Sequence, residues 1–259
     1  MLVVISPAKK LDWTRAGDAP WQGRLQPRFQ DAATELAGLA RQAGADGLRK
    51  LMDLSPALAQ LNAERFAAFR AVPDPAGTRA AVLGFAGDTY VGLHAPSMDA
   101  AAADRARGHL RMLSGLYGVL RPEDQIQPHR LEMGTRLANA RGRDLYAFWG
   151  DRIARMLAHD ARETGARHVL NCASREYFGA VDLAALGLPV ITPVFLDRTD
   201  DGEDKVISFH AKRARGAMAR FVLENRVLEP GDLREFDWMG YRWQDSPVDA
   251  PVFLRATQG

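Results

Sequence analysis

The chain of 259 residues contains one cysteine, Cys172. That excludes a disulfide framework and any zinc or iron–sulfur site built on cysteines, and it suits a reducing compartment. Long apolar runs are also missing: none approaches the ~20 residues of a membrane span. The opening apolar stretch is short and has no basic segment before it, so it does not read as a secretion signal. The histidines at 94, 109, 129, 159, 168 and 210 show neither H-x-x-x-H nor E-x-x-H spacing, so no metal centre is expected. A Walker loop, a nucleophile elbow and a dinucleotide fingerprint are absent too. The expectation is a cytoplasmic protein with no membrane association, metal or other cofactor. Lysine is the last scarcity, with 5 lysines against 29 arginines.

What is present is ordinary for a globular chain: 47% hydrophobic and 25% charged residues, enough to bury a sizeable core. The net charge of +2 hides an asymmetry. Residues 105–155 hold ten arginines and five acids, whereas residues 224–249 hold seven acids and three arginines. A basic middle suits an anionic partner, although a solvated arginine surface would look the same.

Short apolar runs rich in Val and Ile predict strands at 2–5, 80–85, 168–172, 190–196 and 205–209, with weaker ones at 241–243 and 252–255. Helical stripes run through 29–44, 55–69, 144–165 and 211–226. Ser55-Pro56 supplies an N-cap followed by proline at the first helical position. Residues 13–28 read as a surface excursion, and the acidic DRTDDGEDK stretch as a hairpin turn. Strands alternating with helices, with no repeat or linker, predict one α/β domain over 1–259 with a mixed central sheet.

The polar stretches cluster after predicted strands, where α/β sheets usually bind ligands. In SPAKKLD, Ser6 offers a hydroxyl and Lys9 and Lys10 compact positive charges for a phosphate or carboxylate. A buried Lys9 could instead act as a nucleophile, or both lysines could be solvated with Asp12 as partner. GFAGDTYVGL presents Asp88 and Tyr90. LRMLSGLYGVLRP carries Ser114, Gly115, Tyr117 and Gly118 among Arg111, Arg121 and Arg130, and a glycine hairpin between helical pieces would let backbone N–H groups approach phosphates. The bland alternative is that the glycines allow close packing and the arginines pair with Glu123, Asp124 and Glu132. NCASREYF adds Asn171, Ser174, Glu176 and Tyr177, with Ser174 an ordinary N-cap candidate. Lys212, Arg213 and Arg215 open a helix, where cations oppose the dipole and call for an anion. If these loops converge, they make one anion-binding cleft.

These segments, ISPAKKLD, GDTYVGL, LRMLSGLYGVLRP, RLEMGTRLANARGRDLYAFWGD, NCASREYF and PVFLD…ISFHAKRARGAMARFVLENR, resemble the YaaA family of peroxide-stress-resistance proteins over nearly the whole chain. The resemblance implies a cytoplasmic protein that limits iron-fed oxidative damage to DNA. It also implies an α/β domain with a positively charged cleft, a helix-hairpin-helix-like element and DNA binding. Carried over, the DNA-facing candidates are Ser114, Gly115, Tyr117 and Gly118 with Lys9, Lys10, Arg121, Arg130, Lys212, Arg213 and Arg215. One departure is that the usual apolar-Gly-apolar-Gly hairpin here has two residues between Gly115 and Gly118.

The expected partner is therefore DNA, held largely without sequence preference, with a nucleotide-like small molecule as second candidate. The alternative function is an enzyme acting on a nucleobase, nucleotide or modified nucleic acid. Asp12, Asp88, Glu132 and Glu176 motivate it, since carboxylates repel phosphate; Lys9, Asp12, Asp88 and Glu176 are the catalytic candidates.

Overall fold

A computed structural model describes residues 1–14 and 19–256. The surface excursion predicted for 13–28 therefore falls partly outside the described residues, at 15–18. The opening strand Leu2–Ile5 is buried along its whole length and sits in the middle of a five-stranded sheet. It pairs in parallel with Leu110–Ser114 on one side and Val169–Cys172 on the other. Val190–Ile191 extends the parallel set, and Gly118–Leu120 closes the other edge antiparallel. Strands covered on both faces lose the alternation of half-buried ones, which is why LVVI is a continuous apolar run and VLNC is buried throughout with Asn171 its one polar residue.

A four-stranded sheet follows, ordered Asp204–Lys205, Val194–Arg198, Val252–Arg255, Tyr241–Trp243. Its aromatics Phe195, Tyr241 and Phe253 join the same core as the central strands. The core is continuous, and the chain is one mixed α/β domain. The DRTDDGEDK stretch is the expected hairpin, with Asp197 and Arg198 opposite Lys205 and Asp204.

Three predicted elements are different. The 80–85 run divides into Arg79–Ala80, a helical turn Ala81–Gly84 and Phe85–Ala86. A short run buried all round carries no period by which helix and strand can be told apart. The 190–196 run splits at Thr192-Pro193 between the two sheets. The 205–209 strand stops at Lys205, and a helix runs from Ser208 to Asn225. Val206 and Phe209 are exposed, so no neighbouring strand covers the alternation that suggested a sheet.

The fourth difference concerns the glycine hairpin. LRMLSGLYGVLRP does not join helical pieces: Leu110–Ser114 and Gly118–Leu120 are the two arms of a β-hairpin inside the central sheet. Gly118 adopts φ +68°, and a Cβ there would stand 2.7 Å from the Trp149 ring. A Cβ on Gly115 would stand 2.3 Å from the Leu131 carbonyl oxygen. Both glycines are needed because other parts of the chain lie directly on the turn.

Candidate functional site

Ser6 follows the first strand and Ser174 follows the strand beside it, so the two serines stand at the same end of the parallel sheet. Ser6 Oγ accepts the Ser174 N–H at 2.8 Å. Ser174 in turn caps the short helix Arg175–Phe178, which brings Glu176 and Tyr177 into place. The Tyr90 hydroxyl donates to the Ser6 carbonyl at 3.1 Å, tying in the helix Asp88–Leu93. A two-residue ladder between Lys10–Leu11 and Phe85–Ala86 holds the AGDTY turn alongside.

The helix Ser208–Asn225 completes the site by packing almost backbone to backbone on Asp88–Leu93. A Cβ on Gly216 would stand 1.8 Å from the Thr89 oxygen, and one on Gly92 would stand 2.0 Å from the Arg213 oxygen. Only glycine fits at that crossing. The contact sets Arg213 Nε 3.1 Å from Asp88 Oδ1 and turns Lys212 and Arg215 towards the serines.

The result is a cleft of about 450 Å³ whose polar lining is Ser6, Lys9, Lys10, Asp88, Thr89, Ser174, Glu176, Lys212 and Arg215. Ala8, Ala86, Tyr90, Cys172 and Tyr177 form much of the rest. Lys9 Nζ lies 2.8 Å from Glu132, which Arg130 also engages at 2.6 Å. Burial works to raise the Glu132 carboxyl, but Lys9 and Arg130 outweigh it and hold it below the usual range. The Glu176 carboxylate accepts the Gly134 N–H at 3.0 Å. Lys212 and Arg215 have no hydrogen-bond or ion-pair partner among the described residues. Burial lowers the Arg215 pKa; the nearby Cys172 opposes this and Arg175 adds to it.

Both tyrosines stay neutral near pH 7. Burial pushes Tyr90 and Tyr177 well up, the carboxylates of Glu176 and Glu132 push Tyr177 further, and neither phenol can serve as a base. Cys172, on which the sequence placed no role, lines the cleft as a buried thiol pushed up to about 12.

The remaining candidates lie elsewhere. Ser114, Gly115, Tyr117 and Gly118 are buried; Ser114 Oγ accepts the Tyr117 N–H inside the turn, and the Tyr117 hydroxyl accepts the Gln127 N–H at 3.1 Å. None of them faces the cleft. They shape it indirectly: the tight turn lets residues 131–132 lie against it, and that segment supplies Glu132 to Lys9 and leads to Gly134. Arg121 is bonded to the buried Asp124 and the Gln26 carbonyl. Arg130 reaches the cleft only through Glu132. Arg111 is inside, bonded to the buried Asp160. Asn171 holds the Ala173 N–H and Thr192. Asp12 caps the Thr14 N–H at 2.9 Å and borders a smaller adjoining cavity.

Lys212 and Arg215 also fall later in their helix than the sequence suggested. With the helix starting at Ser208, they sit in its second turn, past most of the dipole's reach. Their missing acidic partners, not the dipole, make the anion argument. Ala86 and Thr89 were not singled out from the sequence; their position just after the predicted 80–85 strand was the available signal.

The fold is that of a mixed α/β protein in which cationic residues gather at the carboxyl ends of the parallel strands, the usual place for a ligand in such sheets. The family model described as "Peroxide stress protein YaaA" matches residues 1–246. A "UPF0246 protein" of Dinoroseobacter shibae is 55% identical over 98% of this chain and 95% of its own length. Proteins of the same name from Ruegeria pomeroyi and Cereibacter sphaeroides are 53% and 56% identical, with 100% of each of those proteins covered. The chain belongs to the YaaA peroxide stress protein family, and its role lies in oxidative stress. No helix among the described residues is long and apolar enough to cross a membrane.

Proposed function

We propose that the protein binds DNA through this cleft and thereby limits iron-dependent damage during peroxide stress in the cytoplasm. The observation that carries the reading is the pair Lys212 and Arg215, presented beside Ser6 and Ser174 with no acidic partner among the described residues. A guanidinium partly withdrawn from water and left without an acceptor is costly unless a ligand supplies one. A phosphate does so in a charge-assisted, bidentate way. Contacts of this type carry little sequence information, so affinity should be largely sequence-independent and steeply salt-dependent.

The test is DNA affinity measured across a salt series for the wild type and for Arg215→Ala and Lys212→Ala. Each variant should bind more weakly and lose about 0.7–0.9 from the slope of log affinity against log salt. A plasmid-nicking assay with ferrous iron and peroxide then reads protection, which should fall in the same variants. Unchanged slopes in both variants would refute the role of the cleft.

The carboxylates Asp88 and Glu176 favour a second reading, an enzyme acting on a nucleobase, nucleotide or modified nucleic acid. A purely phosphate-binding surface would not carry them. In this reading Glu176, fixed by Gly134, is the better base candidate, since Asp88 is engaged by Arg213 and Lys9 is ion-paired to Glu132.

A further inference from the structure

We infer that the cleft seats one unstacked nucleotide, with its phosphate on Lys212 and Arg215 and the edge of its base on the carboxylates of Glu176 and Asp88. The inference rests on the nucleic-acid reading and narrows it to the unit recognised.

Size is the first argument. A cavity of about 450 Å³ lies within the range of small-molecule sites, roughly 300–1,000 Å³. The stacked pairs of a duplex cannot enter it. A nucleotide that is extruded, single-stranded or free can.

The mixture of charges is the second. Lys212 and Arg215 lie three apart on one helix, so both reach the same side of the cleft. The two carboxylates would weaken a bare phosphate site, yet each keeps an oxygen with no protein donor among the described residues. Glu176 Oε1 takes the Gly134 N–H, which leaves Oε2. Asp88 Oδ1 takes Arg213, which leaves Oδ2. Free carboxylate oxygens match the amino and imino N–H groups on a base edge, as acids that read cytosine N4 do.

The third argument is the apolar lining between these groups. Tyr90 has its hydroxyl turned to the Ser6 carbonyl, so its ring is what remains for a guest. Tyr177, Cys172, Ala8 and Ala86 add further apolar surface. Unstacked bases are commonly received against such surface. A free nucleoside monophosphate and a nucleotide within a strand present the same groups, and the experiment separates them.

Fluorescence anisotropy is read at one salt concentration with three DNAs of equal length: single-stranded, a duplex with one bulged nucleotide, and a fully matched duplex. Deoxyguanosine monophosphate and deoxyribose 5-phosphate serve as competitors. The expected result is at least tenfold tighter binding of the unpaired DNAs than of the matched duplex. The nucleotide should compete at least tenfold better than the sugar phosphate. Glu176→Gln keeps an oxygen for Gly134 but offers the base a donor, so it should abolish that preference without changing the salt slope. Should that variant not fold, the competitor ratio in the wild type decides alone. Nucleotide binding without DNA binding identifies a free nucleotide as the guest and removes only the DNA reading. Salt-dependent binding that is equal for all three DNAs, with no competition by the nucleotide, overturns the inference and leaves the DNA reading standing. No binding of any probe overturns both.

Discussion

Gly216→Ala should destabilise the fold and the cleft together, although alanine is the better helix former. In an isolated helix the change gains about 0.8–1.0 kcal/mol. Here the new methyl would stand 1.8 Å from the Thr89 oxygen and 2.7 Å from the Leu93 nitrogen, where favourable contacts begin near 3.5 Å. Both obstacles are backbone, so no side chain can swing aside. The two helices must separate, which costs about 1–3 kcal/mol or more as overpacking. Taking the upper part of that range, because backbone cannot repack, the net loss is about 2 kcal/mol, or roughly 4–8 °C in Tm for a domain of this size.

Gly38→Ala is the matched control. It also lies inside a helix, Gln30–Met52, but its Cβ would meet nothing within 4 Å, so it should gain about 0.5–1 kcal/mol. Urea unfolding followed by circular dichroism compares the pair. Separation of the helices would also carry Lys212 and Arg215 away from Ser6 and Ser174, with which they line the cleft, so DNA affinity should fall in Gly216→Ala and not in Gly38→Ala. A Gly216→Ala protein as stable as the wild type would refute the close-crossing argument.

His129, buried between Tyr117 and Phe85, is pushed down to about 4 by burial. The unfolded chain, with its histidine near 6.5, takes the proton first, so stability should fall by about 3 kcal/mol as pH drops from about 6.5 to 4; urea midpoints across that window should fall less steeply in His129→Phe. Asp160→Asn strips the charge that holds the buried Arg111 and also engages Arg28, and should cost about 3–5 kcal/mol in the same denaturation assay. Burial alone would raise the Asp160 carboxyl, but both arginines pull it below the ordinary value, so its contribution is present above about pH 4 and disappears below. Cys172, a thiol pushed up to about 12, should stay unmodified by peroxide and by thiol reagents in the native protein, since the thiolate is the reactive form. Intact mass spectrometry checks it, and labelling only after denaturation is the expected pattern; oxidation in the native state would refute the assignment.

Much of the sheet was legible because burial on both faces writes itself as a run of apolar residues, unbroken in Leu2–Ile5 and interrupted only by the uncharged Asn171 in Val169–Cys172. Leu110–Ser114 was not, although it lies beside them. Arg111 interrupts it, and the residue that makes a buried arginine tolerable, Asp160, is 49 positions away. Gly115 and Gly118 invited a phosphate-binding hairpin, and what they accommodate is Leu131 and Trp149. A sequence shows that a glycine is needed without showing what approaches it.

The same limit sorts the cations. Arg121 has Asp124 three residues on, Arg130 has Glu132 two residues on, and Arg155 has Asp151 four residues back; each pair is formed. A nearby acid in sequence therefore identified the arginines already occupied. The helix Ser208–Asn225 contains only one acid, Glu224, close to its end, and that acid pairs with Arg220. Lys212 and Arg215 have none within reach along the helix, and with Lys10 they line the cleft without an ion-pair partner among the described residues. Arg213 marks where this reasoning stops, because Asp88 comes to it across the Gly92–Gly216 crossing from 125 positions away. Local charge pattern separates occupied from available cations only until tertiary packing brings in a distant acid, and here that crossing occupies Arg213 while Lys212 and Arg215 keep no ion-pair partner among the described residues.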